Sequence, residues 1–141
     1  MIYQEIHGDV TKAPEDHYIM HCISSDFALG AGVARAIDNT FLTRTLLFQK
    51  YSHKRFSYPQ CLIAGRVINL VTKHMCYHKP TYDSLKVSLE MAKKQSLLLN
   101  IKKIALPQIG SGLDKLSWNK VRQILKDTFA DIDIELTVYV Y

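Results

Sequence analysis

The sequence is poor in cysteine and has no long apolar run. Its three cysteines, Cys22, Cys61 and Cys76, form no CxxC motif, a pattern typical of reduced thiols in a cytosolic protein. No apolar run approaches the roughly 18 residues that a membrane-spanning helix needs. The first residues also lack the basic-then-apolar order of a secretory signal. We therefore expect a cytoplasmic protein without membrane association, and a nuclear location stays open for a eukaryotic source.

The chain also lacks internal repeats, low-complexity segments and long linkers. Its 141 residues, of which 48% are apolar and 22% charged, suit one soluble globular domain that spans residues 1–141. We expect this domain to be a monomer. The net charge of +5 favours anionic partners such as phosphates, nucleotides or nucleic acid. A basic excess is also typical of an ordinary solvated surface, so the charge alone selects none of these partners.

Hydrophobic patterning predicts strands that alternate with helices. Alternating or continuous apolar residues indicate strands at 2–7, 18–23, 61–64, 67–71, 101–106 and 134–139. Helical spacing indicates helices at 32–50, from Pro80 onward, and at 117–129. This order predicts an α/β protein, a three-layer α/β/α sandwich with a central mixed β-sheet. In such sheets ligands bind beyond the carboxyl ends of the strands.

The helices have predicted inner faces. The helix at 32–50 offers the core five residues: Val33, Ala36, Ile37, Phe41 and Phe48. The helix after Pro80 has one stripe at the helical period: Leu85, Leu89, Ala92, Ser96 and Leu99. In the last helix we expect a core stripe of Val121, Leu125 and Phe129, with Trp118 beside it.

Two glycine pairs follow predicted strands and precede helices. Gly110-Ser111-Gly112 follows the strand at 101–106, and Gly30-Ala31-Gly32 follows the strand at 18–23. Glycine permits positive φ and leaves room for a ligand, and successive N–H groups in such turns form anion sites. One GxG alone is more typical of a tight turn. Two at neighbouring strand ends could hold two phosphates, or a diphosphate and its sugar.

An acid also follows the first strand. Asp9, in the sequence GDV, could accept hydrogen bonds from a sugar hydroxyl or an adenine amino group. The alternative is a helix N-cap or a turn carboxylate. The sequence alone leaves both interpretations open.

Five segments together resemble the macro domain family, an ADP-ribose-binding module. They are GDVTKAP, HCISSDFALGAGVARAID, LVTKHMCYHKPTYDSL, ALPQIGSGLDKLSW and DIDIELTVYVY. The resemblance runs from about residue 2 to residue 141. It is most specific for the branch of terminal ADP-ribose protein glycohydrolases.

The resemblance implies a binding site for ADP-ribose. It implies that Asp9 binds the adenine amino group, that Val10 lines that site, and that Tyr139 stands beside the adenine. Ser24 would lie near the ribose end of the ligand. The loop around the diphosphate and distal ribose would consist of Gly30, Ala31, Gly32 and Val33. The phosphate loop would consist of Ile109, Gly110, Ser111, Gly112 and Leu113.

The resemblance further implies a catalytic pair, Lys73 and Asp114. A neutral lysine amine could attack C1″ of the distal ribose, and Asp114 could move the proton that opens the ring. Many hydrolytic macro domains instead carry an asparagine-rich segment, a longer glycine run and an activated water. This chain has Cys22-Ile23-Ser24-Ser25 and a short GAG, which favours the lysine–aspartate mechanism. Without the resemblance, an exposed strand-end lysine and a helix N-cap would be the simpler interpretations.

The expected reaction removes mono- or terminal ADP-ribose from modified targets. A glutamate or aspartate ester on protein is the favoured linkage, while ADP-ribosylated nucleic acid and O-acetyl-ADP-ribose stay open. A non-catalytic reader is the alternative, since a reader needs the loops but not the pair, and a plain nucleic-acid-binding protein is a third possibility. No cofactor and no metal are expected, because Cys76 and His78 have no companions at zinc-ligand spacing.

Overall fold

The computed structural model describes residues 1–51 and 58–141. In these residues the elements follow one another as strands, helices and one 3₁₀ turn. The strands are β1 Ile2–His7, β2 Tyr18–Ser24, β3 Gln60–Ala64, β4 Val67–Lys73, β5 Lys103–Pro107 and β6 Glu135–Val140. The α-helices are α1 Gly32–Phe41, α2 Thr43–Tyr51, α3 Tyr82–Leu98 and α4 Trp118–Phe129, and the 3₁₀ turn is Val10–Lys12.

The strands form one mixed sheet in the order β1-β6-β5-β2-β4-β3. Neighbouring strands are parallel except for β3, which runs antiparallel to β4. The predicted β3–β4 hairpin is confirmed, and it turns at Gly65 with φ 59°. Because β1, β2, β4, β5 and β6 are mutually parallel, their carboxyl ends all lie at one edge of the sheet. That edge is where the candidate site residues were expected.

Helices cover both faces of the sheet, which confirms the predicted three-layer architecture. Side chains of α3 and α4, such as Leu89 and Leu125, pack on one face against Met20 and Leu70. On the other face, Ile37 of α1 and Leu47 of α2 belong to two separate apolar clusters. Alternate side chains of a strand point to opposite faces, so a strand covered on both faces needs an unbroken apolar run. This explains runs such as YIMHCI at 18–23.

The prediction of one helix at 32–50 is wrong, because the chain forms two helices separated at Leu42. Leu42 has φ 55°, and its N–H donates to the Asp38 carbonyl at 2.8 Å. The Asp38 carboxylate then accepts from the N–H of Arg44 at 2.8 Å, which caps α2. The predicted inner face changes accordingly. Ile37 is buried and Phe41 is partly buried, whereas Val33, Ala36 and Phe48 are exposed.

The long helix α3 begins two residues after Pro80. Thr81 is its N-cap, in a reciprocal capping box with Ser84. The predicted stripe is buried through Ser96, but Leu99 is 54% exposed because the helix ends at Leu98. In α4, Val121, Leu125 and Phe129 are buried, and Trp118 packs partly buried against the same core. None of the helices described is long and apolar enough to span a membrane.

Candidate active site

The residues predicted for the site lie where parallel strands end. Asp9 follows β1, Ser24 is the last residue of β2, and Lys73 is the last residue of β4. The loop at 108–116 follows β5, and Tyr139 lies one residue before the end of β6. Ser24 and Lys73 are paired across the sheet just after a register irregularity in β2. The topology therefore places these residues at one edge of the sheet, although they are far apart in sequence.

Lys73 and Asp114 form an ion pair. The Lys73 Nζ lies 2.8 Å from Asp114 Oδ1, and each side chain is 14% exposed. Lys73 is therefore not an exposed strand-end lysine. Asp114 is not a helix N-cap either, because that position of α4 belongs to Ser117. The structure brings the two residues predicted as catalytic into direct contact across 41 residues of sequence.

The phosphate loop at 109–113 uses its two glycines differently. Gly110 has φ 73°, and a Cβ placed on it would lie 3.1 Å from the Leu116 side chain. Gly112 has no positive φ and no atom within 4 Å of its Cβ position. Of the two uses of glycine considered from the sequence, positive φ therefore applies to Gly110, and open space beside the backbone applies to Gly112. Among the described residues, the N–H groups of Gly110, Gly112 and Leu113 have no acceptor.

The loop at 30–32 leads into the N-terminus of α1. Ala31 is the N-cap and makes no side-chain cap hydrogen bond, and Gly32 takes φ 59°. Within the described part of the chain, the first-turn N–H groups of Gly32, Val33 and Ala34 have no acceptor. A Cβ on Gly32 would lie 3.3 Å from the Leu113 side chain, so the two glycine loops meet. Unpartnered amides and a helix N-terminus together favour an anion.

Asp9 partly fulfils its alternative interpretation. Its Oδ1 accepts from the N–H and the hydroxyl of Thr11 at 2.9 and 2.7 Å, so the residue caps the 3₁₀ turn. These hydrogen bonds from Thr11 hold the pKa of Asp9 below its usual value, which keeps the carboxylate an acceptor. Its Oδ2 has no partner among the described residues. Asp9 can thus cap the 3₁₀ turn with Oδ1 and accept a hydrogen bond from a ligand with Oδ2.

The surroundings of Asp9 suit a planar ligand. Val10 is 4% exposed behind it, and the Tyr139 ring lies 3.3 Å from where a Cβ of Gly8 would be. A shallow cavity of about 280 Å³ is lined by His7, Gly8, Asp9, Val140 and Tyr141. The structure thus groups Val10, Asp9 and Tyr139 at the ends of β1 and β6.

Sequence reasoning missed Asp26, which joins two loops of the site. Its Oδ1 accepts from the Ser24 hydroxyl at 2.5 Å and from the Ala28 N–H at 3.2 Å, and its Oδ2 accepts from the Cys76 N–H at 2.9 Å. Burial opposes ionisation of this carboxyl, but these hydrogen bonds outweigh it and lower the pKa. The Ser-Ser-Asp sequence is the available signal, since such residues form local turns with the backbone. Ser24 is itself 4% exposed.

One further contact joins two loops of the site. The Nζ of Lys79 donates to the Leu113 carbonyl at 2.8 Å, which ties the loop after β4 to the phosphate loop.

Burial raises the pKa of Cys22 to about 12, and the negative charge of Asp114 adds to that rise. Cys22 is therefore a neutral thiol and not a nucleophile. The described residues contain no group of three or more His, Cys, Asp or Glu side chains that could hold a metal ion.

The fold matches that of solved macrodomains, and relatives with 36% identity cover 95% of the chain, so the chain belongs to the macro domain family. Bovine ADP-ribose glycohydrolase OARD1 is 36% identical over 137 residues, which cover 95% of this chain and 88% of the bovine protein. The human protein of the same name is equally similar, at 36% identity over 137 residues. No family model matches the chain.

Solved structures agree on the fold. The macrodomain of Thermus aquaticus DarG has a TM-score of 0.87 at 19% identity, covering 98% of this chain and 97% of that one. Thermosipho africanus DarTG, solved in complex with ADP-ribose, has a TM-score of 0.82 at 16% identity and covers 99% of this chain and 42% of that one. At these identities the likeness establishes the fold alone.

Proposed function

We propose that the protein is an ADP-ribose glycohydrolase that uses Lys73 and Asp114. The observation that carries the proposal is the 2.8 Å ion pair between the two, at the edge of the sheet where the glycine loops meet. The name of the bovine relative, an ADP-ribose glycohydrolase, supports the same reaction. A reader of ADP-ribose would need the loops and Asp9 but has no use for this pair.

The loops suggest how the ligand binds. The diphosphate would accept from the unpartnered N–H groups of the phosphate loop and of the first turn of α1. The adenine amino group would donate to Asp9 Oδ2, with the ring in the shallow cavity at Asp9 and near Tyr139. In this orientation the distal ribose points toward Lys73. The DarTG structure with ADP-ribose, although only 16% identical, supports ADP-ribose as the ligand for this fold.

The proposed reaction begins with a proton transfer within the Lys73–Asp114 ion pair. Transfer of one proton from Lys73 Nζ to Asp114 leaves a neutral amine, the form that can act as a nucleophile. The amine lone pair forms a bond to C1″ while the bond from C1″ to the acceptor oxygen breaks. The electrons of that bond leave with the acceptor, which departs as a carboxylate when the linkage is a glutamate or aspartate ester.

Asp114 would then open the sugar ring. It donates its proton to the ring oxygen as the bond from C1″ to that oxygen breaks, and it takes a proton from the lysine nitrogen, which leaves a Schiff base. Water hydrolyses the Schiff base to free ADP-ribose and the amine. Lys73 regains the proton held by Asp114, one proton goes to solvent, and the pair is restored. No cofactor or metal is required for these steps.

The acceptor is the least constrained part of the proposal. A carboxylate ester on protein is the favoured linkage, because a carboxylate leaves without a proton donor. The net charge of +5 supports ADP-ribosylated nucleic acid as a second acceptor within the same reaction. We further propose that the protein acts as a monomer in the cytoplasm, and that O-acetyl-ADP-ribose is within its chemical range.

One experiment separates the hydrolase from the reader. The wild-type protein would be incubated in parallel with glutamate-ADP-ribosylated protein and with ADP-ribosylated DNA, and free ADP-ribose measured over time. Lys93→Ala is the matched control, since Lys93 forms a 2.6 Å pair with Asp131 away from the site. We expect release by wild type and Lys93→Ala but not by Lys73→Ala. Binding of ADP-ribose without release from either substrate would establish the reader.

A further inference from the structure

The loop after β4, residues 74–79, is fastened on both sides of the Lys73–Asp114 pair, and we name it the rim loop. On one side, the Asp26 carboxylate accepts from the Cys76 N–H at 2.9 Å. On the other side, Lys79 Nζ donates to the Leu113 carbonyl at 2.8 Å. The rim loop therefore bridges the loop that follows β2 and the phosphate loop.

The segment Ser24-Ser25-Asp26 also holds the end of β4. The N–H of Ser25 donates to the Lys73 carbonyl at 3.0 Å, and the N–H of Asp26 donates to the His74 carbonyl at 3.2 Å. The Ser25 hydroxyl donates to the same His74 carbonyl at 2.7 Å. These bonds fix the backbone from which the Lys73 side chain projects.

The same carboxylate stabilises an unfavourable backbone. Phe27 and Leu29 have φ of 54° and 42°, a region that residues with a side chain rarely adopt. The Asp26 Oδ1 accepts from Ser24 and Ala28, on either side of Phe27. This strained stretch leads directly into the loop at 30–32 and the N-terminus of α1. Strain of this kind persists where surrounding bonds hold it, and it is often found at functional sites.

We propose that Asp26 is the positioning residue of the site, which sets the distance between the Lys73 amine and the C1″ of bound ADP-ribose. Its Oδ1 holds the loop that leads to α1, and its Oδ2 holds the rim loop that continues from Lys73. One side chain thus joins the ligand-binding half of the site to the reacting half. The inference rests on the proposed function and deepens it.

Asp26→Asn tests the proposal with little change of shape. An asparagine has one acceptor oxygen and one NH₂ donor, so in either orientation a backbone N–H, of Ala28 or of Cys76, loses its acceptor. We expect turnover to fall about 10- to 100-fold, since misplacement by about 1 Å has effects of this size. The Kd for free ADP-ribose should rise by less than kcat falls, because the phosphate loop and Asp9 remain intact and only the loop at 30–32 loses support.

Three control variants separate positioning from stability. Asp38→Asn weakens a comparable carboxylate cap, the 2.8 Å bond to Arg44, and should change the melting temperature without changing kcat. Cys76→Ala keeps the backbone N–H but removes the thiol, which also hydrogen-bonds to Asp26, and it should lower kcat less than Asp26→Asn does. Ser25→Ala removes only the 2.7 Å bond to His74, and it should lower kcat a few-fold with unchanged Kd. Ser25→Ala also serves if Asp26→Asn does not fold.

The decisive measurement is kcat and the ADP-ribose Kd for these variants beside wild type, on the substrate that wild type cleaves. A fall in kcat that exceeds the rise in Kd in Asp26→Asn and Ser25→Ala, but not in Asp38→Asn, supports the proposal. An unchanged kcat in both Asp26→Asn and Ser25→Ala would overturn it and leave the proposed function intact. Absence of turnover in wild type would overturn both together.

Discussion

The Lys73–Asp114 pair and the Arg122–Glu5 pair have similar lengths, 2.8 and 2.6 Å, but different surroundings. Glu5 is bound through both oxygens, since the Arg122 guanidinium donates to Oε2 at 2.6 Å and to Oε1 at 3.2 Å. Tyr3 donates a further bond to Oε2 at 2.6 Å. Asp114, by contrast, accepts one hydrogen bond from the described residues, and that bond comes from Lys73.

The two ion pairs differ in how many of their hydrogen-bonding groups already have a partner. Arg122 also donates to Asn119 and lies over the Trp118 ring, at 5.6 Å from its centroid. This group joins the edge strand β1 to α4, and both carboxylate oxygens of Glu5 are already hydrogen-bonded. The active-site pair has spare donors and one spare acceptor oxygen, and it lies beside loops whose amides are unpartnered within the described residues. The spare donors of Lys73 and the spare oxygen of Asp114 can therefore hydrogen-bond to a substrate.

The largest expected effect is the loss of turnover in Lys73→Ala. We expect kcat to fall by about 1,000-fold or more, because the nucleophile is gone. ADP-ribose binding should remain within about threefold, whereas the melting temperature should fall, because the Asp114 carboxylate, whose side chain is 14% exposed, loses its partner. Kinetics, calorimetry and thermal melts would check the three values. Lys73→Arg should be equally inactive because a guanidinium is not neutral in proteins.

Asp9→Ala should weaken ADP-ribose binding by about tenfold or more. The adenine amino group loses a charged acceptor, and the 3₁₀ turn loses its cap on Thr11. Thr11→Val is the control, because it removes the 2.7 Å hydroxyl bond to Asp9 and keeps the carboxylate. If calorimetry gives Asp9→Ala the affinity of wild type, the adenine assignment is wrong.

The two glycines of the phosphate loop extend the comparison to the backbone. Gly110→Ala should lower the free energy of unfolding by about 1–2 kcal/mol, because its φ of 73° disfavours a side chain. Gly112→Ala should leave stability unchanged and weaken ADP-ribose binding about tenfold, since its Cβ enters the space left open for the diphosphate. Denaturant unfolding and calorimetry on both variants would check that Gly110→Ala affects stability and Gly112→Ala affects binding. Equal stability loss in both would contradict it.

The smallest expected effect comes from breaking the Arg122–Glu5 pair. Glu5→Gln should leave turnover unchanged and lower the free energy of unfolding by about 1 kcal/mol at pH 7. Hydrogen bonds from Arg122, with a contribution from Tyr3, outweigh burial and lower the pKa of Glu5 from 4.5. A lowered pKa stabilises the fold above 4.5, and this stabilisation is lost as the pH falls through the lowered value. The difference between wild type and variant should therefore shrink below about pH 4.5 in denaturant melts.

Much of the fold followed from sequence because the sheet is covered on both faces. Buried strands such as β2 and β4 require mostly apolar runs, and those runs are visible without a structure. The polar residues within them, such as His21 and Asn69, hydrogen-bond to each other at 2.6 Å. The division of the helix at 32–50 was not visible, because helical spacing continues across Leu42. What ends α1 is the left-handed Leu42 together with the Asp38 bond to Arg44, and periodicity carries no information on either.

Site residues could be predicted from the sequence where they lie in a recognisable motif. Lys73 and Asp114 were found through the VTKH and GLDKL segments, yet only the folded chain puts them 2.8 Å apart. Asp26 was missed because its role depends on the Cys76 N–H, 50 residues away. The different uses of Gly110 and Gly112 were also out of reach, since sequence does not show which glycine has a neighbour.

The central claim is that Lys73 bonds covalently to the sugar, and reductive trapping tests it most directly. The wild-type protein would be mixed with the cleavable substrate and quenched early with borohydride, which reduces a Schiff base to a stable amine. Peptide mapping by mass spectrometry should find the ADP-ribose adduct on the peptide that contains Lys73. Lys73→Ala should show no such adduct on the corresponding peptide. Wild-type turnover with an adduct absent from Lys73 at every quench time would contradict the account.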